Sequence, residues 1–229
     1  MSATLVYLAI GAAMMALALW EAWEDTAEVR ARRRRHWPAN IALAVINGGL
    51  LLVVPIGTVS AAAFAEGTGF GLMTALGIDG FVQGVVTVLV LTFAHYAIHR
   101  ASHEVPLLWR LHRIHHSDVE IDATTAVRHH PLEAVFAAMV MVVFALGFGV
   151  DPTTALVLAL VDQAWAVWTH SAKRLPPEVH RWVCLVFVTP HTHLVHHSND
   201  QRETDSNYGN TLTIWDRLLG THNVFPLRG

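Results

Sequence analysis

The stretch Phe81–His103, FVQGVVTVLVLTFAHYAIHRASH, decides the fold. From Phe81 to Ile98 it is almost wholly apolar, and His99 and His103 follow at its end. A run of this length is close to the ~20 residues a helix needs to cross a bilayer. Residues four apart share one face of a helix. The stretch therefore reads as a membrane helix that delivers two imidazoles together at one end.

The composition of the whole chain agrees. Of 229 residues, 53% are hydrophobic and 14% charged, against about 25% charged in an average soluble domain. Mean hydropathy is +0.41. A disordered chain is excluded. The net charge of −3 says little, because sixteen histidines can move it either way. No basic tract is long enough to imply nucleic acid. One cysteine, Cys184, excludes an internal disulfide framework and a thiolate-only metal site.

Outward from Phe81–His103, further apolar runs set a topology. Ala3–Trp20 is read as a retained helix. As a signal peptide it lacks a basic start, and its apolar run is too long. Glu21–Trp37 carries Arg30 and Arg32–Arg35, which the positive-inside rule places in the cytoplasm. Ile41–Ala65 leads away, with Asn47-Gly48-Gly49 and Pro55 as points of bending or close packing. Glu66–Gly80 is an outer, glycine-rich stretch, and Phe81–Ile98 returns. Leu132–Val150 goes out, Asp151-Pro152 turns, and Thr153–Trp168 comes back. Trp182–Pro190 is too short to span and reads as an interfacial or re-entrant helix. Counting crossings puts the arginine block, His99–His130 and the chain from His170 onward on one cytoplasmic side. The expected fold is all-α: an integral membrane bundle of four to five spans, short interfacial helices and a cytoplasmic His-rich cap. One domain covers residues 1–229, with 1–80 framing and 81–229 carrying the chemistry. Lys173 is the only lysine in an Ala- and Arg-rich chain. That composition points to a GC-rich bacterium, and so to its inner membrane.

The sixteen histidines outnumber Lys plus Arg, at 15. Histidine is the commonest metal ligand among side chains. Ten of them fall into five groups: His99/His103, His112/His115/His116, His130, His170, and His193/His196/His197. The two His-x-x-His-His triplets have offsets that share a helix face. A four-coordinate ion uses three or four imidazoles, so ten suffice for two ions. Imidazole suits iron, zinc, copper and nickel. His36, His180 and His222 read as surface or interface residues. His129 and His191 read as bystanders beside better candidates. His95, one turn before His99, reads as a donor behind the metal ligands or as packing.

These residues resemble the fatty acid hydroxylase / sterol desaturase superfamily. The resemblance is carried by His99-Arg100-x-x-His103, Leu108-Trp109-Arg110-x-His112-x-x-His115-His116-Ser117, Arg128-x-His130-Pro131-x-Glu133 and His193-x-x-His196-His197-Ser198. Asn207-Tyr208-Gly209 and Ile214–Thr221 extend it, so that it runs from about Thr92 to Thr221. It implies two iron ions held on the cytoplasmic side by His99, His103, His112, His115, His116, His130, His170, His193, His196 and His197. It also implies O2-dependent hydroxylation or desaturation of a fatty acyl chain, sterol or related lipid. One departure stands out. Thr92 occupies the position where many members carry Asp, and His95 and Ala97 stand at usual aromatic positions.

A C–H bond in an alkyl chain offers no acidity to a side-chain base, so metal and oxygen must do the hard chemistry. Glu133, Asp162, Asp205, Asn207 and Asp216 are candidates to orient the metal-binding rings from behind. An intramembrane carboxylate such as Asp162 is costly and often functional; its bland reading is a partner for Gln163 or Thr169. Arg100, Arg110 and Arg128 read equally as headgroup ligands or braces. Trp165, Trp168, Trp182 and Trp215 read as interface anchors before substrate walls. With no Gly-x-Gly-x-x-Gly fingerprint and no room for a haem domain, electrons must come from an external ferredoxin- or cytochrome-type donor. Iron sites of this kind also take zinc on purification. A metalloprotease is disfavoured, because Leu107 stands where His-Glu-x-x-His needs its second histidine. The alternative of a membrane metal-binding protein or transporter predicts polar residues along the spans. A bis-His haem protein predicts histidines within two spans.

Overall fold

A computed structural model describes residues 26–53, 57–118 and 120–223, together with Ala16, Trp20 and Trp23; of residues 51–53 it describes the backbone alone. The run Ala3–Trp20 lies almost wholly outside the described residues. Those described are all-helical, save one isolated bridge between Phe187 and Leu212.

Four longer helices and one shorter one build the bundle. Helix α1 is Ala27–Val53, α2 Thr58–Thr68 and α3 Leu72–Ala75. Helix α4 is Gly80–Glu104, α5 Pro106–His116, α6 Pro131–Phe148 and α7 Pro152–His170. Short helices α8 (Pro177–Val183), α9 (Pro190–His196), α10 (Gln201–Thr204) and α11 (Ile214–Leu218) form the cap, and a 3-10 turn spans Ala123–Val127. Proline opens α5, α6, α7, α8 and α9, where its missing N–H costs nothing. The core between α2, α4, α6 and α7 is built on Ala61, Ala62, Leu91, Ala94, Met141, Ala145, Ala155 and Leu158. Its small residues let backbones approach closely. At the end remote from the histidines, Gly71 meets Gly149 so tightly that a Cβ on Gly71 would lie 2.4 Å from the Gly149 Cα.

Several expectations change. The run Ile41–Ala65 is not one helix: it is shared between α1 and α2. The arginine block is not a connector, because α1 begins at Ala27 and contains it. Trp182–Pro190 is not a helix. Helix α8 ends at Val183, and Phe187 turns to pair with Leu212. Four to five spans were expected; among the described residues two helices, α4 and α6, are long and apolar enough to cross a membrane. Helix α7 falls short because Asp162-Gln163 interrupts its apolar run. Helix α1 carries all its Asp, Glu, Lys and Arg residues in its first third, Ala27–Arg35. Only 33% of the apolar window of α4 and 17% of that of α6 is buried. Leu132, Met139 and Val143 on α6 and Phe81 and Val82 on α4 face outward.

The first helix does more than frame. Arg33, Trp37, Asn40 and Asn47 lie along one face of α1 at helical spacing and bind the loop after α5. Asn40 is fully buried. Its amide nitrogen donates to Asp118 and Thr124, each at 2.9 Å, and its oxygen accepts from Arg128 at 2.8 Å. Trp37 donates to Asp122 at 2.7 Å, and Asn47 to the His129 carbonyl at 2.9 Å. His36, expected as a surface or interface residue, lies 3.1 Å from Asp118. Burial works against the Asp118 carboxylate, but His36, Asn40 and Thr125 outweigh it and hold its pKa below the usual range. Arg128 also donates to the Ile114 carbonyl and Ser117, so it braces the end of α5.

Removing one member of a satisfied buried network leaves its partners unpaired, at a cost of about 1–3 kcal/mol. Asn40→Ala is therefore expected to lower the unfolding free energy by about that amount. Thermal melts of wild type and variant in the same detergent check this; unchanged melting would show that the α1 contacts are dispensable.

Candidate metal centre

Nine of the ten expected histidines converge. His99, His103, His112, His116 and His196 present one ring nitrogen each within 4.8 Å of one another. His115, His170, His193 and His197 form a second such group. The groups are adjacent: the rings of His116 and His197 stack at 4.5 Å.

The His-x-x-His-His triplets are divided between the groups in a reciprocal way. Triplet one gives His112 and His116, one turn apart, to the five-histidine group and His115 to the other. Triplet two gives His193 and His197 to the four-histidine group and His196 to the first. Neighbouring residues on a helix differ by about 100°, so a His-His pair naturally faces two centres.

The rings are locked from behind. His99 Nδ1 donates to the Tyr208 carbonyl at 2.8 Å, His196 Nδ1 to the Ser206 carbonyl at 2.7 Å and His170 Nδ1 to the Ala166 carbonyl at 2.7 Å. His112 Nδ1 donates to Glu133 at 2.6 Å. Each bond fixes the tautomer that leaves Nε2 as a lone pair facing inward. In the four-histidine group, Nε2 of His170 lies 3.1, 3.0 and 3.3 Å from Nε2 of His115, His193 and His197. Metal–nitrogen bonds of ~2.0–2.1 Å produce nitrogen separations of about 3.0–3.4 Å around one ion. The buried Nε2 atoms of His99, His112, His116 and His196 have no hydrogen-bond partner. This donor set fits metal ions. Burial drives the pKa of His115, His193, His196 and His197 well below the ordinary 6.5, and neighbouring imidazoles push the same way.

His130 does not join either group. Its Nδ1 accepts from the Leu132 N–H at 3.0 Å and caps α6. The residue that turns inward is His129, which stacks on His115 at 4.6 Å and lies 3.2 Å from Glu133. Position alone, in an Arg-x-His-Pro context, could not separate two adjacent histidines.

The five supporting candidates play unequal parts. Glu133 touches His112 and His129. Asp205 lies 3.4 Å from His103. Asp216 accepts from the backbone N–H groups of Tyr208 and Gly209 and from the Thr221 hydroxyl. It thereby holds the loop whose carbonyls orient His99 and His196. Burial pushes its pKa up to about 6 against those hydrogen bonds. Asn207, at φ 53, donates to the Thr192 carbonyl and steadies the same loop. Gly209 is required here: a Cβ would fall 2.4 Å from the Leu212 carbonyl oxygen. Asp162 contacts none of the converging histidines; it accepts from Thr211 and lies 2.9 Å from His95. Among the arginines, Arg100 pairs with Glu104. Trp215 donates to Thr92 and Trp165 to the Val188 carbonyl, so both are tied into the protein. A cavity of about 590 Å³, lined by His103, Trp109, Arg113, His116, Asn199 and Asp205 among others, opens beside the five-histidine group.

Comparison with known proteins agrees with this geometry. The fatty acid hydroxylase family model matches residues 84–221. Alkylglycerol monooxygenase of Xenopus tropicalis is 33% identical over 138 residues, 59% of this chain and 29% of that protein. Ornithine lipid hydroxylase OlsE of Rhizobium tropici is 33% identical over 144 residues, 62% of this chain and 42% of that protein. Fatty acid hydroxylase vlmA of Lecanicillium sp is 32% identical over 145 residues, 58% of this chain and 40% of that protein. The matched part of the chain spans less than half the length of each of these relatives. No solved structure matches. The family match covers more than half of the chain and contains all nine converging histidines, and the chain belongs to the fatty acid hydroxylase family.

Proposed function

We propose that this chain is an O2-dependent lipid hydroxylase whose two histidine groups hold two iron ions at the cytoplasmic end of a membrane bundle. The observation that carries this reading is the convergence of nine imidazoles as adjacent groups of five and four. Nine nitrogen donors exceed what one ion accepts at four to six coordination. The relatives named above are called monooxygenases and hydroxylases, which favours oxygen insertion over desaturation.

Two irons supply the oxygen activation and electron transfer that an unactivated C–H bond requires. The protein's own part is to bind, orient and exclude water. The Nδ1 bonds to Tyr208, Ser206, Ala166 and Glu133 keep four rings aimed without rearrangement. Apolar outward faces on α4 and α6 suit a bilayer, and a substrate tail reaches the centre from there. The arginine block packs at the histidine end, with Arg32 2.6 Å from Glu120; the positive-inside rule puts that end in the cytoplasm. An external ferredoxin- or cytochrome-type donor has its approach where the 590 Å³ cavity opens beside the five-histidine group.

Protein produced in iron-supplemented cells is expected to hold two metal ions per chain by elemental analysis. His196→Ala is expected to lose metal and at least 90% of lipid oxidation, read by mass spectrometry as a gain of one oxygen. His130→Ala is expected to keep both ions, since that ring only caps α6. One ion or none in wild type, or full activity in His196→Ala, would reject the reading.

The buried imidazoles also set a pH dependence. In the unfolded chain each histidine takes up a proton near pH 6.5, whereas His115, His193, His196 and His197 in the fold resist it to well below that. A depressed histidine pKa means the unfolded state binds more protons, so stability is complete above about pH 7 and falls below about 6.5. Melting of metal-free protein is expected to be flat from pH 8 to 7 and to drop steeply from pH 6.5 to 5. A flat profile down to pH 5 would show that the rings are not held neutral by the fold.

A further inference from the structure

One ionisable pair is left over by the metal centre. Asp162, midway along α7, is 4% exposed and carries a carboxylate in an otherwise apolar segment. It accepts from the Thr211 hydroxyl, and its other oxygen lies 2.9 Å from His95 Nδ1. None of the nine converging histidines touches it. Burying a carboxylate in such a place is costly, and holding rings for metal does not require it.

His95 is unusual for its position. It lies on the same face of α4 as Leu91, Thr92, Ile98 and Ser102, all of them buried. Yet the His95 side chain is 32% exposed. Asp162 lies at ion-pair distance on its Nδ1 side, and neither that buried nitrogen nor the facing oxygen completes a hydrogen bond. Asp162 faces the Nδ1 edge of the ring, which leaves the Nε2 edge to meet a ligand, and a hydroxyl suits that nitrogen in any protonation state because it both donates and accepts. His95 precedes His99 by one turn, about 6 Å along the helix axis at 1.5 Å per residue. The partly exposed ring thus lies just membrane-ward of the histidine groups.

We infer that His95, beside Asp162, is a binding point for a hydroxyl group of the lipid, placed about one helical turn from the metal centre. A free imidazole nitrogen at this depth selects lipids that bring a hydroxyl to it and disfavours chains that bring none, because an unmet polar group in an apolar setting is penalised. The bland alternative is that the pair only pins α4 to α7 and to the segment of Thr211. The inference rests on the reading of the chain as a lipid enzyme, but its test does not depend on turnover.

The test measures binding of radiolabelled hexadecan-1-ol to purified full-length protein in detergent, with unlabelled hexadecan-1-ol or 1-chlorohexadecane as competitor. The two competitors share a chain and differ in the donor. Wild type is expected to prefer the alcohol by about tenfold. His95→Phe is expected to abolish that preference while leaving the chloride's competition unchanged. His95→Gln, which keeps an acceptor, is expected to retain most of the preference, and Asp162→Asn part of it. Equal competition by alcohol and chloride in wild type would overturn the inference. So would equal weakening of both ligands in His95→Phe, which would make the pair a structural pin. If His95→Phe does not fold, the wild-type comparison and His95→Gln still decide. Metal content is measured on the same samples, so failure of the alcohol preference with two ions present counts against this inference alone.

Discussion

Nine imidazole rings in one buried volume repel one another through their lone pairs unless cations sit among them. Everything else in the structure follows from managing that constraint. The rings must be neutral to bind metal, and burial keeps His115, His193, His196 and His197 so. They must also point inward without searching among rotamers. Hydrogen bonds from Nδ1 to three main-chain carbonyls and to Glu133 accomplish this. Such partners raise ligand basicity and fix ring orientation at once.

The support has two sides. On one, the C-terminal loop is tied down by Asp216, which accepts from Tyr208, Gly209 and Thr221. Its Ser206 and Tyr208 carbonyls then reach His196 and His99. On the other, α1 grips the segment after α5 through Asn40, Asp118 and Arg128. That segment follows directly on His115 and His116 and carries His129 near its end. A helix whose basic residues announce membrane topology is therefore also a wall of the metal centre.

How much of this was legible in the sequence depends on which chemistry did the positioning. The His-x-x-His-His triplets were legible as ligands because an offset of four maps onto one helix face, but the turning of the middle histidine to a second group was not read from the spacing. Glu133 and Asp216 were legible as carboxylates near the motifs. The Ser206 and Tyr208 carbonyls were not, since every residue has one and only the fold decides which is aimed. The sequence ranks His130 above His129 and the fold reverses the order, because the choice turns on which ring caps α6. The α1 contacts did leave a signal: Arg33, Trp37, Asn40 and Asn47 recur at helical spacing inside what reads as a basic block followed by an apolar run. The split of Ile41–Ala65 into two helices was marked only by Pro55 and Gly57, and Pro55 lies outside the described residues.

The reciprocal division of the triplets has a consequence for how the centre holds together. If each triplet served one ion, the two sites would be separable, and one could be lost while the other stayed whole. Here α5 gives two ligands to one group and one to the other, and α9 gives one and two in return. Helix α4 adds His99 and His103 to the first, and the end of α7 adds His170 to the second. No helix carries a complete group. Each group closes only when α5 and α9 are docked together, so metal binding at either site favours the same packed arrangement and is coupled to folding. The apolar faces of α4 and α6 then place that closed centre at the boundary where a lipid tail meets water.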